Sequence, residues 1–160
     1  MKKLVLSILG LVAGFAVVAQ TPQFVSTEPA NRNVIIEEYT GINCGYCPDG
    51  HRIVREYMEA NPGRVFGINI HQGGFAAMYT TQWGNALANQ TGLQGYPAGT
   101  VNREYFTYYD ASSDTTVTTM ALGRGYFVSC GNQILAQPSF VNVAAQASID
   151  AATRTLTVNV

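Results

Sequence analysis

Hydrophobic and polar residues follow two different periods along this chain. Val34-Ile35-Ile36 is an apolar, β-branched run that continues into Glu37, Glu38, Tyr39 and Thr40. Three such residues in a row predict a strand buried on both faces, as in a parallel sheet. Alternation places Val34, Ile36, Glu38 and Thr40 on one face and Ile35, Glu37 and Tyr39 on the other. Two glutamates inside such a strand are anomalous. The period then lengthens. Ile53, Val54, Tyr57 and Met58 recur at helical spacing and predict a helix over 44–60. Pro48 falls in its first turn, where N–H groups lack intrahelical partners, and Asn61-Pro62-Gly63 ends it. A second strand is predicted over 64–71, with Val65, Phe66, Ile68 and Ile70 apolar. A strand–helix–strand unit predicts that the two strands run parallel.

Gln72-Gly73-Gly74 breaks this strand, and Phe75 to Tyr79 reads as an apolar loop or short turn. A helix is predicted over 81–90, with Trp83, Leu87 and Ala88 inward, Thr80 or Thr81 as N-cap and Gly92 past its end. Pro97 stands at the mouth of a short strand. Residues 105–110 are aromatic-rich, 111–116 form a polar loop, and 117–120 predict a short edge strand. Asp110, Ser112 and Asp114 have the spacing of a calcium loop but lack its central glycine and closing glutamate. The last helix is predicted over 122–137, weakened by Gly123, Gly125 and Gly131 and stopped by Pro138. Val141, Val143, Ala145, Ala147 and Ile149 then alternate with mostly polar residues, as do Leu156, Val158 and Val160 after a turn. This predicts a β-hairpin over 139–160. An isolated hairpin is marginal, so a β-rich second domain is expected to continue beyond Val160.

Composition narrows the partners. The 160 residues suit one domain of ordinary size. Nine basic and ten acidic residues argue against a nucleic-acid partner, which favours a basic surface. Lys2 and Lys3, the apolar run from Leu4 to Ala19 and the small Ala19 read as a secretory signal over 1–19. The alternative is a membrane anchor, but the run is shorter than the ~20 residues a spanning helix needs. Residues 20–33 are polar and read as a linker, leaving 34–138 as the main domain. Export permits stable disulfides. Of three cysteines, Cys44 and Cys47 are the natural pair and Cys130 is left over among Phe127, Val128 and Ile134, a buried small hydrophobe by its neighbours.

Cys44 and Cys47 sit where the first strand meets the first helix, the context in which Cys-x-x-Cys reads as a thioredoxin-like redox site. A helix N-terminus stabilises a thiolate, the reactive form of cysteine. Cys44 is therefore the expected nucleophile and Cys47 the resolving thiol. The alternative is a structural disulfide or two inert thiols. Resemblance to thioredoxins adds two roles. Glu38, six residues before Cys44, stands where those proteins carry a buried acid that takes the proton of the resolving cysteine. Pro97 stands where they carry a cis-proline opposite the cysteines. It would leave the Tyr96 backbone to pair with an extended peptide. Tyr46, between the cysteines, joins Tyr96 and Pro97 as a substrate-binding candidate. A salt-bridged Glu38 and an ordinary trans Pro97 are the plain alternatives. His51 falls on the Cys47 face of the helix and His71 ends a strand at the same edge. A zinc site from these residues is conceivable but lacks a second paired-ligand motif. No metal and no cofactor are expected, and Pro48 replaces the histidine that covalent haem requires.

Glu37-Glu38-Tyr39-Thr40-Gly41, Cys44-Gly45-Tyr46-Cys47-Pro48-Asp49-Gly50-His51 and the stretch from Gly95 to Arg103 together resemble the twenty-eight-kilodalton outer-membrane-protein family of Gram-negative bacteria. The resemblance covers roughly 33–137. It implies a thioredoxin-like α/β fold, a βαβ…ββα sandwich, on an exported protein associated with the outer membrane. The function expected is thiol–disulfide exchange on protein or peptide clients, with a redox partner. The alternative is a surface binding protein or adhesin that keeps the disulfide as a staple. Gly-Tyr between the cysteines, in place of Gly-Pro, leaves the direction of electron flow open.

Overall fold

A computed structural model describes residues 24–160. The predicted signal over 1–19 lies outside the described residues. The chain divides into two units, Glu28–Val141 and a smaller one containing 24–27 with 142–160.

The larger unit is built on β1 (Val34–Thr40), α1 (Cys47–Ala60) and β2 (Val65–His71). The two strands are parallel, in register from Val34 opposite Val65 to Thr40 opposite His71. Helix α1 buries Cys47, Gly50, Val54 and Tyr57, one stripe at helical spacing. After α2 (Gln82–Thr91) comes β3 (Ala98–Val101), antiparallel to β1 on its other side. The ribbon β4 (Phe106–Asp110) and β5 (Thr115–Thr119) follows, and the two-residue strand β6 (Leu122–Gly123) then pairs with β3. The sheet order is β2-β1-β3-β6, and α3 (Phe127–Leu135) closes the unit. The chain thus has a thioredoxin-like α/β fold, with β1 in the middle of the sheet. Val34 and Ile36 of β1 meet Val54 and Tyr57 of α1 and Phe127, Cys130 and Ile134 of α3 in one buried core. Cys130 is 3% exposed, and burial pushes its thiol pKa up.

Several elements differ from the sequence pattern. Helix α1 begins at Cys47, so Cys44 lies in the turn before it. The stretch predicted as one helix over 122–137 starts as β6, passes through a 3₁₀ turn at Arg124–Tyr126 and becomes helical only at Phe127. Gly123 and Gly125 make a longer helix costly, while backbone pairing with β3 offers an alternative. Trp83 points outward, at 71% exposure, because α2 buries Gly84, Ala88 and Thr91 instead. Thr81 caps that helix by accepting from the Gly84 N–H at 3.0 Å, and Gly92 ends it with φ 72°. Burial of β1 on both faces holds only toward its C-terminal end. Ile35 and its neighbours Phe66 and Ile68 are exposed, since α2 seats near Ile70 and His71. The edge strand predicted over 117–120 is the second half of the β4–β5 ribbon.

One of the two anomalous glutamates is explained by the turn after β3. Asn102 and Arg103 both have φ near 50°, and this turn sends the Arg103 guanidinium onto Glu37. Arg103 Nε donates to Glu37 Oε2 at 2.7 Å and the Thr100 hydroxyl donates to the same oxygen at 3.0 Å. The Arg103 hydrogen bonds hold the Glu37 pKa below the ordinary carboxylate value against the opposing effect of burial. A depressed folded-state pKa gives stability present above the unfolded value and lost as pH falls through the folded one. Arg103→Ala is therefore expected to cost about 1–2 kcal/mol at neutral pH. The deficit should fade on acidification below the usual Glu range, which urea melts at several pH values would check.

In the smaller unit, β7 (Gln146–Asp150) and β8 (Thr155–Asn159) form an antiparallel hairpin. Pairing of Ala147 with Val158 and Ile149 with Leu156 gathers four apolar residues on one face. Asp150 Oδ1 accepts from the Ala152 and Thr153 N–H groups at 2.9 and 3.2 Å and shapes the turn. The alternation predicted from Val141 becomes a paired strand only at Gln146.

Candidate functional site

Cys44 and Cys47 are joined in a disulfide, with their Cα atoms 5.4 Å apart. The turn that carries them is fixed from both ends. The Cys44 N–H donates to Gly41 O at 3.1 Å, the Cys47 N–H donates to Cys44 O at 3.3 Å, and the Asn43 N–H donates to Phe75 O at 3.0 Å. The last bond ties the cysteine turn to the 3₁₀ turn at Gly74–Tyr79. Cys44 is 8% exposed and Cys47 only 1%, so Cys44 is the more accessible sulfur residue. Tyr46 projects between them at 72% exposure. The Arg124 guanidinium stands 5.7 Å from its ring centre and also donates from Nε to Asp49 Oδ2 at 2.6 Å. Hydrogen bonds from Arg124 and then Arg52 keep Asp49 below the usual Asp pKa.

Glu38 lies on the face of β1 that α1 covers and is 1% exposed. Room for its carboxyl group comes from Gly50, one turn on from Cys47. A Cβ on Gly50 would overlap Glu38 Oε1 and would lie 3.3 Å from Pro97 Cβ. Glu38 Oε1, Gly50 and Pro97 therefore meet in one place. Oε1 has no hydrogen-bond partner, whereas Oε2 lies 2.9 Å from His51 Nδ1. His51 Nε2 is in turn 3.2 Å from the Thr40 hydroxyl. Burial pushes the Glu38 pKa up, and the His51 hydrogen bond only partly offsets this. A cleft of about 150 Å³ lined by Glu38, His51, Val54, Arg55, Met58, Gly67 and Asn69 reaches this pair.

The Tyr96–Pro97 peptide bond is cis, and Pro97 is buried. The Tyr96 side chain turns toward the segment after β2. Its hydroxyl contacts Gln72 Oε1, and its ring meets Phe75 edge-on with centres 5.4 Å apart. Gly73, with φ 70°, leaves the space that the Tyr96 hydroxyl fills. Exposed Ile42, Tyr46, Phe75, Met78 and Tyr79 belong to the same loops.

The structure brings Glu38, Pro97 and the first turn of α1 together. The two histidines that sequence placed at one sheet edge have different partners, although His71 stands opposite Thr40 in the parallel register. His51 is engaged by Glu38 and Thr40, while the His71 ring lies 5.7 Å from that of Tyr79. Among the described residues, no group of three or more His, Cys, Asp and Glu is placed to hold a metal ion. The partnership of His51 with Glu38 was not read from sequence. The available signal was Glu38 itself, since a buried acid requires a hydrogen-bonding partner.

No protein-family model matches this sequence, and no curated protein matches it. Two solved structures are similar to the chain. HBP35 of Porphyromonas gingivalis is 22% identical with a TM-score of 0.44, over 66% of this chain and 32% of that one. Chloroplastic thioredoxin z is 21% identical with a TM-score of 0.41, over 65% of this chain and 80% of that one. The chain thus corresponds to about a third of the length of HBP35. Among the described residues, no helix is long and apolar enough to cross a membrane.

Proposed function

We propose that this chain is an exported thiol–disulfide oxidoreductase acting on protein or peptide clients. The observation that carries the reading is Glu38. A carboxyl group buried against the first turn of α1, with one oxygen left without a partner, costs stability and needs a chemical reason. Proton transfer from the resolving thiol supplies that reason. Cys44, the more accessible cysteine, attacks or is attacked. Cys47 then closes the disulfide and releases the client, and Glu38 takes the Cys47 proton. Tyr96 and Pro97 hold the client's backbone beside the cysteines, and Tyr46 contributes an exposed aromatic surface. Export rests on the signal-like residues 1–19, and association with the outer membrane rests on the family resemblance of 33–137.

The test is a trapping experiment. Reduced Cys47→Ala protein, mixed with a disulfide-containing peptide, is expected to accumulate a covalent adduct at Cys44 that dithiothreitol releases. Cys44→Ala should give none. Absence of the adduct, together with a wild-type disulfide that glutathione cannot reduce, would replace this reading with that of a binding protein stapled by Cys44–Cys47.

A further inference from the structure

The buried acid is not alone, and its partner has a route to water. His51 follows Gly50 on α1, one turn after Cys47, and its side chain is 35% exposed while that of Glu38 is 1% exposed. It engages Glu38 only through Oε2, at 2.9 Å. Thr40, two residues along β1 on the same face, fixes the other ring nitrogen at 3.2 Å. The imidazole is thus held at both nitrogens, and it holds the carboxyl group so that Oε1 remains the open oxygen beside Gly50 and Pro97. The cleft lined by Glu38, His51, Arg55 and Asn69 touches both members of the pair.

We propose that His51 is a positioning residue for the thiol chemistry, orienting Glu38 so that Oε1 receives the Cys47 proton and discharging a proton to water in the cleft. This rests on the oxidoreductase reading of the same site. With the pair ionised, His51 Nδ1–H donates to Oε2 of the carboxylate. The Cys47 S–H bond breaks and an Oε1–H bond forms. The Cys47 electron pair attacks Cys44 Sγ in the mixed disulfide, the Cys44–client S–S bond breaks, and the client departs as a thiolate. The client is reduced and the protein's dithiol is oxidised to the Cys44–Cys47 disulfide. Protonation of Oε1 cancels the carboxylate charge that held the imidazolium, which releases a proton to the cleft. One proton enters the pair from sulfur and one leaves to water.

The charged and titratable groups around the pair are few. From α1 they are Arg55 at the cleft and Cys47, with Asp49 directed away to Arg52 and Arg124. From β2 it is His71, opposite Thr40 and beside Tyr79, while Asn69, opposite Glu38, is neutral. The part of β3 opposite Glu38 presents Gly99.

The experiment follows the Glu38 carboxyl carbon by NMR titration in the oxidised full chain, wild type against His51→Gln and His51→Ala. In the wild type the carbon should record two steps, because strongly interacting groups titrate as a pair. Gln keeps an N–H donor toward Oε2 but carries no releasable proton, so His51→Gln should give one step displaced to higher pH. His51→Ala should displace it further. Glu38 curves identical to wild type in both variants would overturn the proposal. In the reduced protein, closure of a Cys44–peptide mixed disulfide should slow about 10-fold in His51→Ala at neutral pH. Added imidazole should restore the rate in His51→Ala and leave His51→Gln unchanged; no restoration would overturn the discharge step. A disulfide that never exchanges would instead remove the oxidoreductase reading, while the oxidised-state titration would still decide whether His51 and Glu38 act as a pair.

Discussion

Glu38→Gln is expected to make the protein more stable above the ordinary carboxylate range while slowing disulfide closure about 100-fold. Both effects come from one group. Glu38 is almost fully buried, and burial raises its pKa in the folded state. A raised folded-state value gives a contribution that is fully present below the unfolded pKa and is lost as pH rises through the folded one. Glutamine cannot ionise, so the variant escapes that loss. It keeps the size of the side chain and an oxygen that can accept from His51. A gain of about 1–3 kcal/mol at mildly alkaline pH is expected, since replacing buried charge by a neutral isostere is often stabilising. The gain should vanish near pH 4, where the unfolded carboxyl is itself protonated. Thermal melts across pH would show the two curves separating only on the alkaline side. Curves that cross the other way, with wild type more stable at high pH, would mean that Glu38 is held as a satisfied anion. The kinetic half is measured on the closure step. A variant that is more stable and equally fast would remove Glu38 from the mechanism.

Gly41→Ala should be severely destabilising, by about 2–4 kcal/mol. A Cβ at Gly41 would overlap the carbonyl group of Phe75 and the nitrogen of Ala76. These are backbone atoms, which have no alternative rotamer to adopt. The turn at Gly74–Tyr79 would have to retreat, breaking the 3.0 Å bond from the Asn43 N–H to Phe75 O that seats the cysteine turn. Gly45→Ala provides the control. It lies between the cysteines, and a Cβ there meets nothing within 4 Å. A urea midpoint lowered for Gly41→Ala, with unchanged slope, and near wild type for Gly45→Ala is the expected outcome. Equal midpoints would show that the two turns are not seated on each other as described.

Much of the architecture was legible because local and tertiary demands agree. The run at Val34–Ile36, the helical stripe containing Val54 and Tyr57, and the strand from Val65 to His71 each carry a single dominant period, and all three elements form. The C-terminal stretch 122–137 misled because its apolar residues suit either period. Pairing of Ala98 with Gly123 and Gly99 with Leu122, a contact across more than 20 residues, decided the outcome. Trp83 was expected inward from its hydrophobicity, yet close approach at Gly84 to the His71 carbonyl sets which side of α2 faces the sheet. At the site, Cys44 and Cys47 could be singled out by type and spacing, and Glu38 and Pro97 through the resemblance to thioredoxins. The His51–Glu38 contact could not, because it joins a helix to a strand 13 residues away through a packing angle that no local pattern encodes. Space for Oε1 depended on Gly50, which has no side chain for a hydrophobic pattern to register.

Glu37 and Glu38 are neighbours on the central strand, and their surroundings shift them in opposite directions. Arg103 draws the first toward ionisation at low pH, and burial delays the second. Between the two transitions β1 carries a single negative charge, and it lies on the face away from the disulfide. On the other face the buried Glu38 carboxyl adds no second anion across that interval. A departing or arriving client thiolate therefore meets no anion behind the sulfurs until Glu38 ionises. The middle of the sheet thus divides a charge that Arg103 pairs on one side from a charge that burial delays on the other.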